Sequence, residues 1–374
     1  MRILLINAYL TDYGGTEVVT RDLACEFQRL GHTPIVFAPE LGAVADQIRS
    51  QGIEVTDDLS TIRDAPEIIH GNFGNTLEAL LHFPSTPAVW VCHGRIGFPN
   101  QPFFFPRILR YVGVDRRCVQ RIAEVPQIPR SRIEMRLNAV DLRRFKQREP
   151  LPQKPRRALL FTRESLKHLP VARRACRRMG LQLHVIGPGS IVSDPERVLP
   201  QYDIVFAKAR CALEALTVGN AVVLCDPVGI GPTISMENFD ELREMNFGIG
   251  VLTTPLSTRE LSARITRYDP ENAAVFCARA RSECALEQAA QAWLALYSDV
   301  ISEFRSMPRD YEVELRAAAA YLARRSYETR VRWERRQLQK LTLIPLVGSK
   351  VHRLAHRVAK QIERGEGWQK FPER

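Results

Sequence analysis

The chain is predicted to be an α/β protein of two doubly wound domains facing a cleft, with a helical C-terminal extension. Three observations carry this. Its 374 residues exceed the roughly 250–300 that one hydrophobic core supports, so two domains are expected. Short apolar runs alternate with helical patterns, the mark of parallel sheets covered by helices on both faces. The series then begins afresh after Pro150-Leu151-Pro152-Gln153-Lys154-Pro155, a proline-rich stretch that reads as a linker.

In the first series Ile3–Ala8, Thr33–Phe37, Glu67–His70 and Ala88–Cys92 read as strands. Thr16–Leu30, Ala43–Ser50 and Asn75–His82 read as the helices between them. In the second series the strands are Ala158–Thr162, Gln182–Ile186, Asp203–Phe206 and Ala221–Cys225, with helices at Leu169–Met179 and Cys211–Val218. After Ser257 only helical patterns remain: Glu260–Arg267, Ala273–Ala280, Glu283–Arg305 and a long one from Tyr311 to Leu341. Leu343–Gly348 interrupts the last pattern, and a basic helix from Lys350 to Arg364 follows. The expected boundaries are 1–149, a linker at 150–157, 158–305, and a basic extension at 306–374.

Composition removes several classes. With 45% hydrophobic and 25% charged residues the chain is a folded globular protein, not a disordered one. No stretch approaches the ~20 apolar residues of a spanning helix. The opening Ile3-Leu4-Leu5-Ile6 is too short for a secretory core and reads as a buried first strand. The eight cysteines stand singly within strands and helices, so reduced thiols, a cytoplasmic location and no zinc framework are expected. His352 and His356 lie four apart on the basic helix, where a solvated face is the expectation rather than a metal site. The net charge of +11 is uneven. Residues 107–157 carry 15 basic and 5 acidic side chains, residues 325–374 carry 13 and 5, and the rest of the chain is at −7.

Ligands of doubly wound sheets sit outside the carboxyl ends of the strands, so the residues just after each strand are the informative ones. Gly14 and Gly15 open the first helix, where close backbone approach and free amides suit a phosphate. A structural turn would look the same. The dinucleotide and phosphate-loop patterns are absent, which disfavours a dehydrogenase or nucleotide hydrolase. His93 follows the strand ending at Cys92 and either faces the cleft or is satisfied by loop backbone. Arg163 and Lys167 follow the strand Ala158–Thr162 and suit a diphosphate, a solvated basic loop being the alternative. Glu214 lies in an apolar helix pattern, where a carboxylate needs a defined partner unless it faces solvent.

The order of these features resembles the retaining glycosyltransferases of family 4 over roughly residues 1–300. Gly14-Gly15-Thr16-Glu17 is similar to the family's first glycine loop, and Leu30-Gly31-His32-Thr33 to the end of its first helix. Val91-Cys92-His93-Gly94 and Leu137-Asn138-Ala139-Val140-Asp141 with Phe145 are similar to its next two motifs. Phe161-Thr162-Arg163 with Lys167, then His184–Gly189, then Glu214-Ala215-Leu216-Thr217-Val218-Gly219 complete seven matches in order. The resemblance implies the GT-B fold, two Rossmann-like domains, with an acceptor on the first and a nucleotide-sugar donor on the second. It implies that Arg163 and Lys167 neutralise the donor diphosphate, that Glu214 binds the ribose hydroxyls, and that His93 lies by the transferred sugar. It further implies no cofactor and no obligatory metal. Phe206 stands where the family has its first glutamate, and Ala207-Lys208-Ala209-Arg210 replaces a glycine stretch. Lys208 and Arg210 are therefore expected to supply charge to the diphosphate. The later loop Gly229–Thr233 lacks a further glutamate.

The basic helix candidate from Arg107 to Ile122, preceded by Gly97-Phe98-Pro99 and Phe103-Phe104-Phe105-Pro106, suggests a lipid-linked or membrane-surface acceptor. The alternative is that these phenylalanines are core. The tail, with Trp333, Leu338 and Leu341 among arginines, either lies on anionic lipid or packs on the body. No nucleic-acid motif is present. The expected function is transfer of a sugar from a nucleotide diphosphate donor to a cell-surface glycan or lipid-linked acceptor, peripheral to the inner membrane face. A nucleotide-sugar epimerase and a non-catalytic nucleotide-sugar-binding protein remain the alternatives.

Overall fold

The computed structural model describes residues 1–94 and 101–342, with backbone alone at 328 and 330–342. The chain divides into a compact unit Met1–Pro308 and a second beginning at Arg309.

The first unit starts with β1 (Arg2–Ile6), α1 (Gly15–Arg29), β2 (Thr33–Phe37), α2 (Ala43–Ser50), β3 (Glu54–Thr56) and β4 (Ile68–Gly71). It continues with α3 (Thr76–His82), β5 (Ala88–Cys92), β6 (Ile108–Gly113), α4 (Arg116–Ala123) and β7 (Ile133–Met135). These strands form one sheet in the order β3-β2-β1-β4-β5-β6-β7, all neighbours parallel. Helices cover both faces, so Ile3–Ile6 are wholly buried and the strand reads as an unbroken apolar run.

A second sheet follows from β8 (Arg157–Phe161), α5 (Leu169–Arg178), β9 (Gln182–Ile186), α6 (Pro195–Val198), β10 (Ile204–Ala207), α7 (Ala209–Val218), β11 (Ala221–Asp226) and β12 (Gly229–Ile230). Its order is β12-β11-β10-β8-β9, parallel except for the short β12. Successive side chains alternate between two cores, as the period of a strand requires. Leu159, Phe161 and Val205 face one, while Ala158, Leu160, Ile204 and Phe206 face the other. Then come α8 (Phe239–Glu244), α9 (Thr258–Ile265), α10 (Pro270–Glu283) and α11 (Leu286–Ser306). The last returns to the first sheet, where Tyr297 Oη lies 2.6 Å from His70 Nδ1 and Arg110 Nη1 lies 2.6 Å from Glu303. The second unit contributes the helical extension, α12 (Tyr311–Thr342).

Residues 107–122 are not one helix. Ile108–Gly113 is the strand β6, and only Arg116–Ala123 is helical. Arg107 is buried and donates to the carbonyls of Leu80, Phe83 and Thr86, so it ties down a loop instead of lining a basic helix face. Phe103 and Phe105 are also buried, which makes them core and removes them from any lipid-facing loop. Gly97-Phe98-Pro99, the interruption at Leu343–Gly348 and the helix Lys350–Arg364 with His352 and His356 lie outside the described residues. No helix among the described residues is long and apolar enough to cross a membrane. None of the eight cysteines is in a disulfide, and seven of them are buried.

Candidate active site

Chain connections reverse direction between β1 and β4 in the first sheet and between β8 and β10 in the second. Such switch points open a crevice beyond the strand ends. Asn7, Asn72 and the loop to α1 lie beyond β1 and β4, while Arg163 and the Lys208–Arg210 turn lie beyond β8 and β10. Gly15 of the first half and Arg163, Glu164, Lys208, Ala209, Arg210 and Cys211 of the second line one open cavity of about 430 Å³.

The floor of that cavity is the start of α7. Its N-cap is Lys208, without a side-chain cap, so the first-turn amides have no partner from their own helix. Ala209 adopts φ +49, an uncommon conformation for a residue with a side chain, and its amide donates to Phe247 O at 2.8 Å. The backbone shape that glycine would give freely is thus retained with alanine. At the other end Gly219, at φ +100, closes the helix in the left-handed region that glycine tolerates.

Glu214 is fully buried and both its oxygens are engaged. Arg163 Nη2 lies 3.0 Å from Oε2 and 3.2 Å from Oε1, and Arg210 Nε lies 2.8 Å from Oε1. The solvent-facing alternative for Glu214 does not apply. Arg210 also pairs with Asp22 of α1, joining the two halves, and Asp22 is held in turn by Arg21 at 2.7 Å and Arg144 at 3.4 Å. Burial pushes the Asp22 carboxyl up, but Arg21, Arg210 and Arg144 outweigh it and bring the pKa from 3.8 down to about 2. The Arg163 guanidinium stacks 5.7 Å from the Phe161 ring, and its Nη1 is buried with no hydrogen-bond partner.

The other expected cations differ in placement. Lys208 Nζ lies 2.8 Å from Glu164 and 3.3 Å from Asp226, and its pKa is raised: burial lowers it, but the two carboxylates outweigh that. Lys167 is exposed and does not line the cavity. Phe206 is wholly buried and faces the core beneath the site. Gly14 caps α1, and the Glu17 carboxylate occupies the space a Cβ there would need.

His93 does not line this cavity but a second one. Its Nε2 lies 2.8 Å from Asn72 Oδ1, and burial lowers its pKa to about 4, so the ring is neutral at pH 7. A second cavity, lined by His93, His70, Asp22, Asn138, Arg210 and Trp293, adjoins the first through the shared Arg210. Sequence reasoning missed Asp22, Asn72, Glu164 and Asp226. The one available signal was a charged pair, Arg21-Asp22, within an otherwise apolar helix pattern. Among the described residues no cluster of His, Cys, Asp and Glu is arranged to hold a metal ion.

Two Rossmann-like domains with parallel sheets, facing a crevice built from both, define the GT-B fold. Among solved structures the chain is similar to HepE from Anabaena, crystallised in complex with UDP and glucose. The two are 15% identical, with 80% of this chain and 99% of HepE covered and a TM-score of 0.58. It is also similar to a glycosyltransferase from Rickettsia africae, at 15% identity, covering 80% of this chain and 98% of the other, with a TM-score of 0.53. No family model and no curated sequence matches the chain.

Proposed function

We propose that the chain is a retaining, family 4-like glycosyltransferase that takes a nucleotide diphosphate-sugar donor. The observation that carries this is Arg163, a cavity-lining guanidinium at a helix start and a topological switch point, whose Nη1 is buried without a hydrogen-bond partner. An unpaired buried donor on a charged group is costly, and a phosphate oxygen satisfies it. The UDP bound to HepE supports the same reading by analogy of fold.

In this reading residues 1–149 serve the acceptor and 158–305 the donor. The diphosphate lies on the first-turn amides of α7 and beside Gly14 and Gly15, against Arg163, Lys208 and Arg210, with Lys167 able to fold over it. Arg210 turns from Glu214 toward the phosphates, leaving Oε1, still held by Arg163, a lone pair for a ribose hydroxyl. As the bond from sugar C1 to the phosphate oxygen breaks, its electron pair moves onto the diphosphate, where these cations stabilise it. The acceptor hydroxyl bonds to C1 on the same face, and its proton passes to the departing phosphate oxygen. His93 lies by the transferred sugar. No obligatory metal or cofactor enters these steps.

The acceptor we assign is a glycan or a lipid-linked precursor of cell-surface polysaccharide, reached with the protein peripheral on the inner membrane face. The sequence of 325–374, with 13 basic and 5 acidic residues, supports attraction to anionic lipid. The test is a thermal-shift screen of nucleoside diphosphates and nucleotide sugars, followed by turnover with an acceptor panel. Transfer to an acceptor with retained anomeric configuration is expected. Epimerisation of the donor without acceptor would point to the epimerase, and binding without any turnover to a non-catalytic protein.

A further inference from the structure

We infer that Asn72 is a positioning residue that fixes His93 as its Nε2–H tautomer, so that His93 meets a ligand hydroxyl as a hydrogen-bond acceptor through Nδ1. The Thr20 hydroxyl donates to the Thr16 carbonyl at 2.9 Å, which leaves Oγ1 only as an acceptor. Asn7 Nδ2 donates to it at 2.9 Å and Asn72 Nδ2 at 3.2 Å. Asn72 Nδ2 also donates to the Ile6 carbonyl at 2.9 Å, and a carbonyl can only accept. Two acceptors therefore hold the amino group of Asn72 in place. Its Oδ1 must face the histidine, and an amide oxygen cannot donate. The proton in the 2.8 Å contact belongs to His93 Nε2, and the neutral ring carries its lone pair on Nδ1.

The device is rigid because it is buried. Asn7, Thr20 and Asn72 are each no more than 1% exposed, at the switch point between β1 and β4. The groups facing His93 do not reverse its state. His70 is held neutral by burial, with a pKa of about 3 although a hydrogen bond to the Asn72 side chain raises it, and it also bonds Tyr297. The Phe73 ring lies tilted at 6.4 Å, and Asp22, Arg136 and Arg210 share the cavity, with Asp22 already paired to arginines. Burial lowers the His93 pKa, which agrees with a ring that accepts hydrogen bonds rather than protons. That the ligand group is a hydroxyl rests on the glycosyltransferase reading; the tautomer rests on the protein alone.

The test is long-range proton–nitrogen NMR of the full chain with labelled histidine rings, from pH 5.5 to 8, with His93 assigned through His93→Gln. The wild type should show the Nε2–H tautomer and no titration over that range. Asn72→Asp, which places a carboxylate at Nε2, should bring a His93 titration into that range. Asn72→Ala should give mixed tautomers. An Nδ1–H tautomer in the wild type would overturn the inference even if neither variant folds. So would variants whose His93 signals match the wild type. If the tautomer is as expected but no nucleotide sugar shifts the His93 Nδ1 signal, the hydroxyl assignment falls with the donor reading while the positioning role stands.

Discussion

Asp22→Asn removes the charge at the centre of the buried network that joins the two halves. Asp22 is 4% exposed and faces Arg21, Arg144 and Arg210, the last from α7 of the second half. Its pKa is lowered in the folded state, from 3.8 to about 2, so its contribution is present above about pH 4 and is lost as the pH falls through 2. At 1.36 kcal/mol for each pH unit, that difference of just under two units corresponds to roughly 2 kcal/mol. Asparagine keeps the shape but leaves the arginines short of a counter-charge, and breaking a buried pair costs about 3–5 kcal/mol. The variant should therefore lose about 3 kcal/mol at pH 7 by urea unfolding, with the gap to wild type closing by roughly 2 kcal/mol between pH 4 and pH 2. A loss under 1 kcal/mol at neutral pH, or a gap that does not change with pH, would refute the claim that this carboxylate is held ionised by its three arginines.

Four further outcomes are expected. Arg163→Ala should weaken nucleoside diphosphate binding by ten- to a hundredfold in calorimetry, the scale of a charged hydrogen bond, with thermal stability measured alongside. Lys208→Ala should weaken it about tenfold or more, and an unchanged affinity would mean that Glu164 and Asp226 keep this lysine to themselves. Glu214→Gln should erase the preference for ribo- over 2′-deoxynucleotides, whereas an equal preference in both proteins would place the ribose elsewhere. For the extension, co-sedimentation with anionic liposomes should fall sharply when the chain ends at Pro308, and equal binding would remove the tail from the membrane reading.

Much of the fold was legible because parallel strands buried on both faces are continuous apolar runs. Ile3-Leu4-Leu5-Ile6, Ala88–Cys92 and Ala158–Phe161 could be read directly. Strand Ile108–Gly113 was not, because Arg107 and Arg110 imitate the charged face of a helix. In the fold Arg107 is buried on loop carbonyls and Arg110 pairs with Glu303. Strands Glu54–Thr56 and Ile133–Met135 are too short to show a period. Among the candidate residues, Arg163 could be read from its place after a strand and Glu214 from its interruption of an apolar pattern, whereas Lys208 and Arg210 came only from the family resemblance. Their partners were hidden by distance along the chain: Arg210 and Asp22 are 188 residues apart. That partnership depends on how two sheets face each other, which no local pattern encodes. Asn72 escaped for a different reason, since its role appears only once the donors and acceptors around it are counted.

The most direct measurement is a crystal structure of the chain soaked with a panel of nucleoside diphosphates. The diphosphate should lie across the start of α7 with an oxygen within hydrogen-bond distance of Arg163 Nη1. Clear density for the nucleotide anywhere else, or no binding of UDP, ADP, GDP, CDP or dTDP by calorimetry, would contradict the claim that this crevice is a donor site.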